Sequence, residues 1–281
     1  MSYRFTGLLA LLCGGPLTAW SQASYVGTVG GAPVELAIDD AADGPLEGVY
    51  CYLKFGTPIG LSGQLKRGVL TLTEKDARGK PAATFTIPAF GAGRLAGTWR
   101  SLATGKSLPV ALEATDSHEL LQAAALKDSY FKLVLDGQPG ASRVVAVKVL
   151  AKQTNRLIQQ RAVDCEARGV HSLEVGDYNF DGLPDFSLFE SSYAGPNTSS
   201  LYFLYDPAKR QFVDSGYAGV SLEFDAKKKR VYERNSCCAG TSVTTAEYKV
   251  VHNELVVIAQ HCYRWDEKKQ ALVERKLSAC Q

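Results

Sequence analysis

The stretch Val69-Leu70-Thr71-Leu72-Thr73 alternates apolar and polar side chains at every second position, and Ala83-Thr84-Phe85-Thr86-Ile87 follows the same pattern. A period of two places the apolar side chains on one face of an extended strand, so both segments are predicted to be half-buried β-strands. Similar short segments, punctuated by Gly and Pro, recur at residues 26–29, 34–38, 48–53, 59–63, 95–99 and 110–112. Their spacing is typical of antiparallel sandwiches and barrels.

We therefore predict an all-β fold whose first part, residues 24–114, is an antiparallel β-barrel or sandwich module. Its aromatic residues are interpreted as core side chains, and a ligand-binding cup is the alternative. Residues 115–129 have the only helix-like composition in the chain and are predicted to be a linker or a short helix.

The second part of the chain repeats one hairpin plan three times. Each copy has an aromatic residue and an Asp before the turn and basic residues after it, at residues 205–210, 224–229 and 265–270. The Asp side chain can accept hydrogen bonds from the turn backbone, and a fourth turn is predicted at His252-Asn253-Glu254. We predict that residues 130–281 form an antiparallel meander arranged as a propeller-like array of small sheets.

Residues 177–185 read Asp-Tyr-Asn-Phe-Asp-Gly-Leu-Pro-Asp and place oxygen-bearing groups on alternate positions around one Gly. Ca²⁺ takes about six to eight oxygen ligands, and a D-x-[DN]-x-[DN]-G loop brings several of them to one centre. An EF-hand would have Glu where this chain has Leu188, so we predict a shorter loop between two strands. A polar turn without a metal is the alternative. The predicted Ca²⁺ ligands are the side chains of Asp177, Asn179, Asp181 and Asp185 and the carbonyl of Leu183.

Residues 1–23 have the pattern of a secretory signal peptide. Arg4 precedes an apolar run, and Ser21-Gln22-Ala23 supplies the small residues of a cleavage site. No later segment reaches the roughly 18 consecutive apolar residues of a membrane helix. We therefore expect a mature chain that begins at Ser24, is exported to the periplasm and is not embedded in the membrane.

Removal of the signal peptide leaves six cysteines, an even number in an oxidising compartment, where disulfides are the default state. We predict that all six form bridges, with the pairing left open. The adjacent cysteines are each expected to pair elsewhere, because direct pairing strains the peptide between them. A zinc site is the weaker alternative, since the Cys-x-x-Cys spacing is absent. The six candidates are Cys51, Cys165, Cys237, Cys238, Cys262 and Cys280.

Composition and motifs indicate a binding protein and not an enzyme. The chain has 31 Lys and Arg against 29 Asp and Glu, a balance that does not predict binding to nucleic acid or to anionic membranes. Its four histidines lack the H-E-x-x-H spacing of a metalloprotease, and no G-x-S-x-G nucleophile motif is present. A pair of carboxylates brought together by the fold is the catalytic alternative.

The segment 175–186, the Gly- and Ser-rich stretch 191–200, the strand and turn at 202–206 and the later Cys237-Cys238 together resemble a known family. These are the exported, calcium-binding, β-propeller-like immunity proteins, which inhibit lysozyme-like peptidoglycan hydrolases injected by rival bacteria through contact-dependent secretion systems. The resemblance covers roughly residues 130–281. It implies Ca²⁺ as the cofactor and a lysozyme-like peptidoglycan hydrolase toxin as the partner. Similar calcium loops also occur in FG-GAP blades and dockerins.

Residues 191–200 form a loop that leaves the strand after the calcium turn, so the ion is expected to anchor the base of this loop. Loops on rigid scaffolds are where binding residues concentrate. Tyr193 is the only large side chain in the loop and has the profile of an interface anchor, with Gly195 and Asn197 as further candidate contacts. We predict that the loop inserts into the active-site cleft of the hydrolase. The alternatives are a disordered loop whose Tyr packs on the sheet, and a calcium-organised adhesion or glycan-binding module of the cell envelope.

Overall fold

The computed structural model describes residues 22–39, 45–76, 78–91, 93–137 and 143–280. These residues form β-strands, turns and three short 3-10 segments, and none of them lies in an α-helix, which confirms the all-β prediction. The predicted signal peptide lies outside them except for its last two residues, Gln22 and Ala23, which begin the first strand. No helix in the described ranges is long and apolar enough to cross a membrane.

The first eight strands form a closed antiparallel barrel in chain order, in which β8 pairs with β1. They are β1 (Gln22–Val29), β2 (Ala32–Asp39), β3 (Leu46–Tyr52), β4 (Ile59–Lys66), β5 (Val69–Lys75), β6 (Pro81–Ile87), β7 (Arg94–Ser101) and β8 (Ser107–Ala114). Three antiparallel meanders follow the barrel, each a separate sheet in chain order.

The first sheet has four strands, β9 (Glu119–Ala125), β10 (Ser129–Leu135), β11 (Arg143–Ala151) and β12 (Leu157–Glu166). The second sheet has four, β13 (Leu173–Gly176), β14 (Asp185–Ser192), β15 (Thr198–Asp206) and β16 (Gln211–Asp214). The third sheet has five, β17 (Glu223–Asp225), β18 (Arg230–Cys237), β19 (Ser242–Val251), β20 (Glu254–Asp266) and β21 (Ala271–Arg275). The 3-10 segments are Gly169–His171, Cys238–Gly240 and Leu277–Ala279.

The interior of the barrel is filled by the alternating apolar side chains of its strands. Glycines allow the strands to close tightly, because a Cβ on Gly63 would lie 1.9 Å from the carbonyl oxygen of Thr71, and a Cβ on Gly97 would lie 2.2 Å from that of Thr86. Three aromatic side chains of this module are buried in its core and three are partly buried against it, whereas Phe55 is 53% exposed. The largest fully buried side chains of the module are Tyr25, Tyr50, Phe85, Leu36, Leu70, Leu72, Ile87, Leu95 and Leu112.

The predicted linker or short helix at residues 115–129 is wrong, because residues 119–125 form β9, the edge strand of the first sheet. β9 pairs with β10 and buries Leu120, Leu121 and Gln122. The helix-like composition of this stretch reflects local propensity alone, which tertiary packing overrides when a segment can bury apolar side chains against a neighbouring strand.

The three predicted hairpins are confirmed. β15 and β16, β17 and β18, and β20 and β21 are adjacent antiparallel pairs joined at the predicted turns. In each turn the Asp Oδ1 accepts two backbone N–H groups at 2.9–3.1 Å, and these bonds hold the pKa of the carboxyl below its usual value. The three Asp residues are Asp206, Asp225 and Asp266. The fourth turn joins β19 to β20 through His252 and Asn253, both with positive φ.

The barrel is held against the first sheet by a shared core and by buried polar contacts. Lys132 on β10 forms an ion pair with Glu35 on β2, with 2.7 Å between Nζ and Oε2. Asp39, at the end of β2, accepts the backbone N–H of Val170 at 2.7 Å. Burial raises the pKa of the Asp39 carboxyl to about 6, although this hydrogen bond and His171 oppose the rise.

The cysteine prediction is partly wrong. Cys262 and Cys280 form a disulfide, but Cys237 and Cys238 pair with each other, and Cys238 and the following Ala239 take a left-handed backbone with φ of 59° and 55°. Cys51 and Cys165 are free thiols, fully buried in the core that joins the barrel to the sheets. Free cysteines commonly pack as small apolar side chains, and burial raises the pKa of both thiols to about 12.

Candidate functional site

The loop between β13 and β14 contains the predicted calcium ligands. The Asp177 carboxylate accepts the backbone N–H of Asp181 at 3.1 Å and that of Gly182 at 2.9 Å. The Asn179 Oδ1 accepts the N–H of Asp181 at 3.1 Å, and the Asp181 Oδ1 accepts that of Leu183 at 2.7 Å. Gly182 has a φ of 87°, a conformation that a side chain would strain. The alternating polar residues therefore bend the backbone into one compact turn.

Asp185 is the structural anchor of this loop. It is 0% exposed, and its two carboxylate oxygens accept the backbone N–H groups of Tyr178 and Tyr205 at 2.9 and 2.8 Å. Burial raises the pKa of the Asp185 carboxyl above its usual value; the two N–H donors oppose this, and the carboxyls of Asp181 and Asp177 raise it further. Asp185 thus joins the start of β14 to the end of β15, and its carboxylate is repelled by those of Asp177 and Asp181.

The donor set has the chemistry that calcium prefers, because every group in it presents oxygen. Three carboxylates, one amide and one main-chain carbonyl occupy one turn, and the carboxylates raise the pKa of the buried one. In the structure their oxygens accept hydrogen bonds within the loop, and the described residues contain no group of three His, Cys, Asp or Glu side chains gathered as metal ligands. The residues fit the ion by type, and calcium at this loop stays a prediction.

The same loop contacts the third sheet. The rings of Tyr178 and Phe224 meet edge to face with 4.8 Å between their centroids. The Asn179 side chain donates to the Asn253 Oδ1 at 3.1 Å, and Lys229 donates to the carbonyl of Phe180 at 3.2 Å. The loop therefore lies at the junction of the second and third sheets, and its conformation contributes to the contacts between them.

The Tyr193 loop lies at the other end of β14. β14 has 8 residues, so at about 3.3 Å per residue the calcium loop and the Tyr193 loop are roughly 25 Å apart. The expectation that the ion anchors the base of this loop is wrong, because a whole strand separates them. The observed loop is also shorter than the predicted one at residues 191–200, since β14 extends to Ser192 and β15 begins at Thr198.

The base of the Tyr193 loop is fixed by Asn197. Its side chain donates to the carbonyl of Ser236 at 2.8 Å and to the Asn235 Oδ1 at 3.0 Å, and it accepts the N–H of Ser236 at 2.9 Å. Asn197 is 8% exposed, so the prediction that it contacts a partner is wrong: burial and three hydrogen bonds occupy its side chain. Tyr193 is 51% exposed, and Gly195 at the tip has a φ of 75°.

A groove of about 670 Å³ separates the Tyr193 loop from the 3-10 segment that carries the adjacent disulfide. The groove residues on the loop side are 193–197, and those on the opposite side are 235–240. All these residues are uncharged, and they combine one aromatic ring, two Asn side chains and a disulfide. Each segment can be identified in the sequence. Because about 40 residues separate them, no local pattern indicates that they face each other.

No family model matches the chain, and no curated protein matches it. Similar solved structures include a Xanthomonas type IV secretion system related protein, 12% identical with a TM-score of 0.28 over 91% of this chain and 99% of that chain. A protein from Lactobacillus plantarum is 13% identical with a TM-score of 0.26 over 91% and 95%. A porin-like protein from Bacteroides uniformis is 8% identical with a TM-score of 0.21 over 87% and 95%. These similarities are too weak to support a functional argument.

Proposed function

We propose that the protein is an exported periplasmic inhibitor of a lysozyme-like peptidoglycan hydrolase. The observation that carries the proposal is the exposed Tyr193 on a short loop whose base is tied to β18 by Asn197. A rigid loop loses little conformational entropy on binding, and Tyr offers apolar area and a hydroxyl with few rotatable bonds. These are the properties of an inhibitory anchor.

The chemistry of the target supports this use of a tyrosine. Glycoside hydrolases hold two carboxyl groups in their cleft, and the Tyr193 hydroxyl can donate a hydrogen bond to an ionised carboxylate. The backbone N–H groups of the loop supply further donors, while the ring excludes water and substrate from the cleft. Within this proposal Ca²⁺ at residues 177–185 stiffens the propeller-like arrangement of the sheets and has no direct contact with the target.

A purified lysozyme-like hydrolase and a peptidoglycan turbidity assay test the proposal. The protein is expected to inhibit lysis, and Tyr193→Ala is expected to weaken inhibition at least tenfold, which is about 1.4 kcal/mol. Tyr193→Phe retains the ring and is expected to lose less, so the difference between the parent and Tyr193→Phe isolates the hydroxyl and the difference between the two variants isolates the ring. A folded Tyr193→Ala protein that inhibits as well as the parent would exclude the loop as the anchor.

One observation favours a second function, the binding of an envelope glycan. The groove beside Tyr193 has no charged lining residue and offers the side-chain amide of Asn235 beside an aromatic ring. Neutral sugars are bound by such combinations of stacking surface and polar groups. Binding of soluble peptidoglycan fragments with no effect on any hydrolase would support this function over inhibition.

A further inference from the structure

A pocket separate from the Tyr193 groove opens between the first and second sheets. Its volume is about 360 Å³. Tyr205, one of its lining residues, is the second-last residue of β15, whereas the Tyr193 loop precedes the start of this strand. The pocket therefore lies at the opposite end of the second sheet from the proposed inhibitory loop. Its apolar lining residues are Leu126, Val149, Ile158, Leu183, Pro184 and Phe212.

The apolar surface of this pocket is only partly covered by the protein. Val149 and Phe212 are buried and form its floor, while Ile158 is 41% exposed at its wall. Apolar surface gains roughly 25 cal/mol per Å² when it is removed from water. A ligand with an apolar body would therefore gain free energy by covering this surface.

Three basic side chains from three separate turns line the same pocket. Lys127 lies between β9 and β10, Arg156 precedes β12, and Arg210 lies between β15 and β16. Within the described ranges none of the three has an ion pair or a side-chain hydrogen bond, and Asp128 is the one acidic residue of the lining. The pocket thus carries an excess of positive charge beside its apolar floor.

Among the equivalent positions of the three Asp hairpins, only Arg210 has a side chain without a protein partner in the described ranges. Lys229 and Gln270 occupy the same place in their turns, with φ of 51° and 49° against 55° for Arg210. Lys229 donates to the carbonyl of Phe180 at 3.2 Å, and Gln270 donates to that of Glu267 at 2.8 Å. Only at this hairpin does the corresponding side chain line a pocket without a protein acceptor among the described residues.

We propose that this pocket binds a small amphipathic anion, an apolar chain or ring that carries one carboxylate or sulfonate group. The apolar body would cover Ile158, Leu126 and Pro184, which retain exposed surface, and the anionic group would pair with the guanidinium groups of Arg156 and Arg210. Arginine forms strong charge-assisted hydrogen bonds with such planar or tetrahedral anions. An uncharged ligand of the same shape would gain the apolar term alone, so the pocket is selective for the anion.

Two fluorescent probes that share one ring system test this selectivity. 1-Anilinonaphthalene-8-sulfonate has a negative charge, and N-phenyl-1-naphthylamine has none. Titration of the complete mature chain is expected to show tighter binding of the charged probe. The double variant Arg156→Gln/Arg210→Gln is expected to bind the charged probe at least tenfold more weakly and the neutral probe within twofold of the parent. Octanoate is expected to displace the charged probe at a lower concentration than octanol, which has the same chain length without the charge.

Two controls make the outcome decisive. Gln is compatible with the backbone at Arg210, because Gln270 already occupies the same hairpin position, and an unchanged melting curve confirms that the double variant is folded. Arg100→Gln removes one exposed charge from β7 of the barrel and is expected to leave both affinities unchanged. Ile158→Gln is expected to weaken both probes. Charged-probe affinity that is the same in the parent and the folded double variant would overturn the proposal.

Discussion

Among single residues, two nearby polar side chains of one loop have different roles, one exposed to solvent and the other buried in hydrogen bonds. Tyr193 and Asn197 lie four positions apart in one Gly- and Ser-rich stretch, and the first is half exposed whereas the second is buried. The difference arises because Asn197 faces β18 and completes the hydrogen bonds of Ser236, while Tyr193 has no strand to pack against. The exposed residue is then available for a partner, and the buried one holds it in place.

Asn197→Ala is expected to lower both stability and inhibition. The substitution leaves the backbone N–H and carbonyl of Ser236 without their partner, and each such loss in a buried place costs about 1 to 3 kcal/mol. Chemical denaturation measures the first effect, and the hydrolase assay measures the second. Ser191→Ala is the matched control: it removes a single contact, 3.2 Å to the Ser199 Oγ on the other side of the same loop, and is expected to cost less than about 1 kcal/mol. A larger effect for the control than for Asn197→Ala would contradict the role of Asn197.

Asp39 is expected to make stability depend on pH. Its pKa is about 6 in the folded protein against 3.8 for the free carboxyl, since burial penalises the charged form. The protonated carboxyl therefore contributes stability that is complete below pH 3.8 and is lost as the pH rises through about 6. Asp39→Asn cannot ionise, so its free energy of unfolding should rise relative to that of the parent by about 2 kcal/mol between pH 4 and 7. A difference between the two proteins that is constant with pH would contradict this assignment.

At the scale of elements, each of the three Asp hairpins is held by bonds within its own turn. The Asp at the end of the first strand accepts two N–H groups of the turn that follows it, so four or five residues specify the geometry. The loop at residues 177–185 is different, because it also contacts β14, β15 and the third sheet. Order in this loop therefore changes the stability of elements outside it.

Calcium is expected to stabilise the protein through this loop. Binding to the folded state alone contributes about 2.7 kcal/mol when the free ion is at a hundredfold excess over the dissociation constant. Thermal melts in calcium and in chelator measure the gain, and Asp181→Asn is expected to abolish most of it. Because Asn179 reaches Asn253, calcium should also slow amide exchange at the turn between β19 and β20.

Asp266→Asn is a matched control for the calcium experiment, since it changes an Asp that accepts two N–H groups in a hairpin turn of the third sheet. The difference between melts in calcium and in chelator should be the same for this variant and the parent. Equal melting midpoints of the parent in calcium and in chelator, with no metal in elemental analysis, would remove the calcium site.

Across the molecule, one apolar core joins the barrel to the first and second sheets. Ala37, Val49 and Cys51 come from the barrel, whereas Phe131 and Phe186 come from the first and second sheets. The rings of Phe131 and Phe186 lie 5.0 Å apart. Since barrel residues take part in this core, the barrel is packed as part of the same structure and is not an independent attachment.

Thiol labelling tests this shared core directly. With the disulfides intact, the mature protein is expected to show two labelled cysteines after denaturation, Cys51 and Cys165, and none in the native state, because both thiols are buried and have raised pKa values. Reduction before denaturing labelling should raise the number to six. The absence of labelled thiols in the denatured, unreduced protein would mean that these two cysteines are bridged.

Local patterns in the sequence predicted the all-β class, the short strands of the barrel, the four hairpin turns and the polar turn at residues 177–185. Each depends on interactions between residues close along the chain: alternation of apolar side chains decides which face of a strand is buried, and an Asp caps its own turn. Tyr193 could be singled out for the same reason, as the one large side chain of a polar loop. These signals survive in any tertiary context because the partners are a few positions away.

Local patterns did not predict the strand at β9, the burial of Asn197, the pairing of Cys237 with Cys238, or the free thiols of Cys51 and Cys165. The tertiary structure also brings the Tyr193 loop opposite residues 235–240, and it places basic side chains from three turns around one pocket. In nearly all of these features the interacting groups are distant in sequence. The helix propensity of a segment and an even number of cysteines contain no information about distant partners. The adjacent disulfide is the exception, since its two cysteines are neighbours in the chain, and it lies where Cys238 and Ala239 take a left-handed backbone.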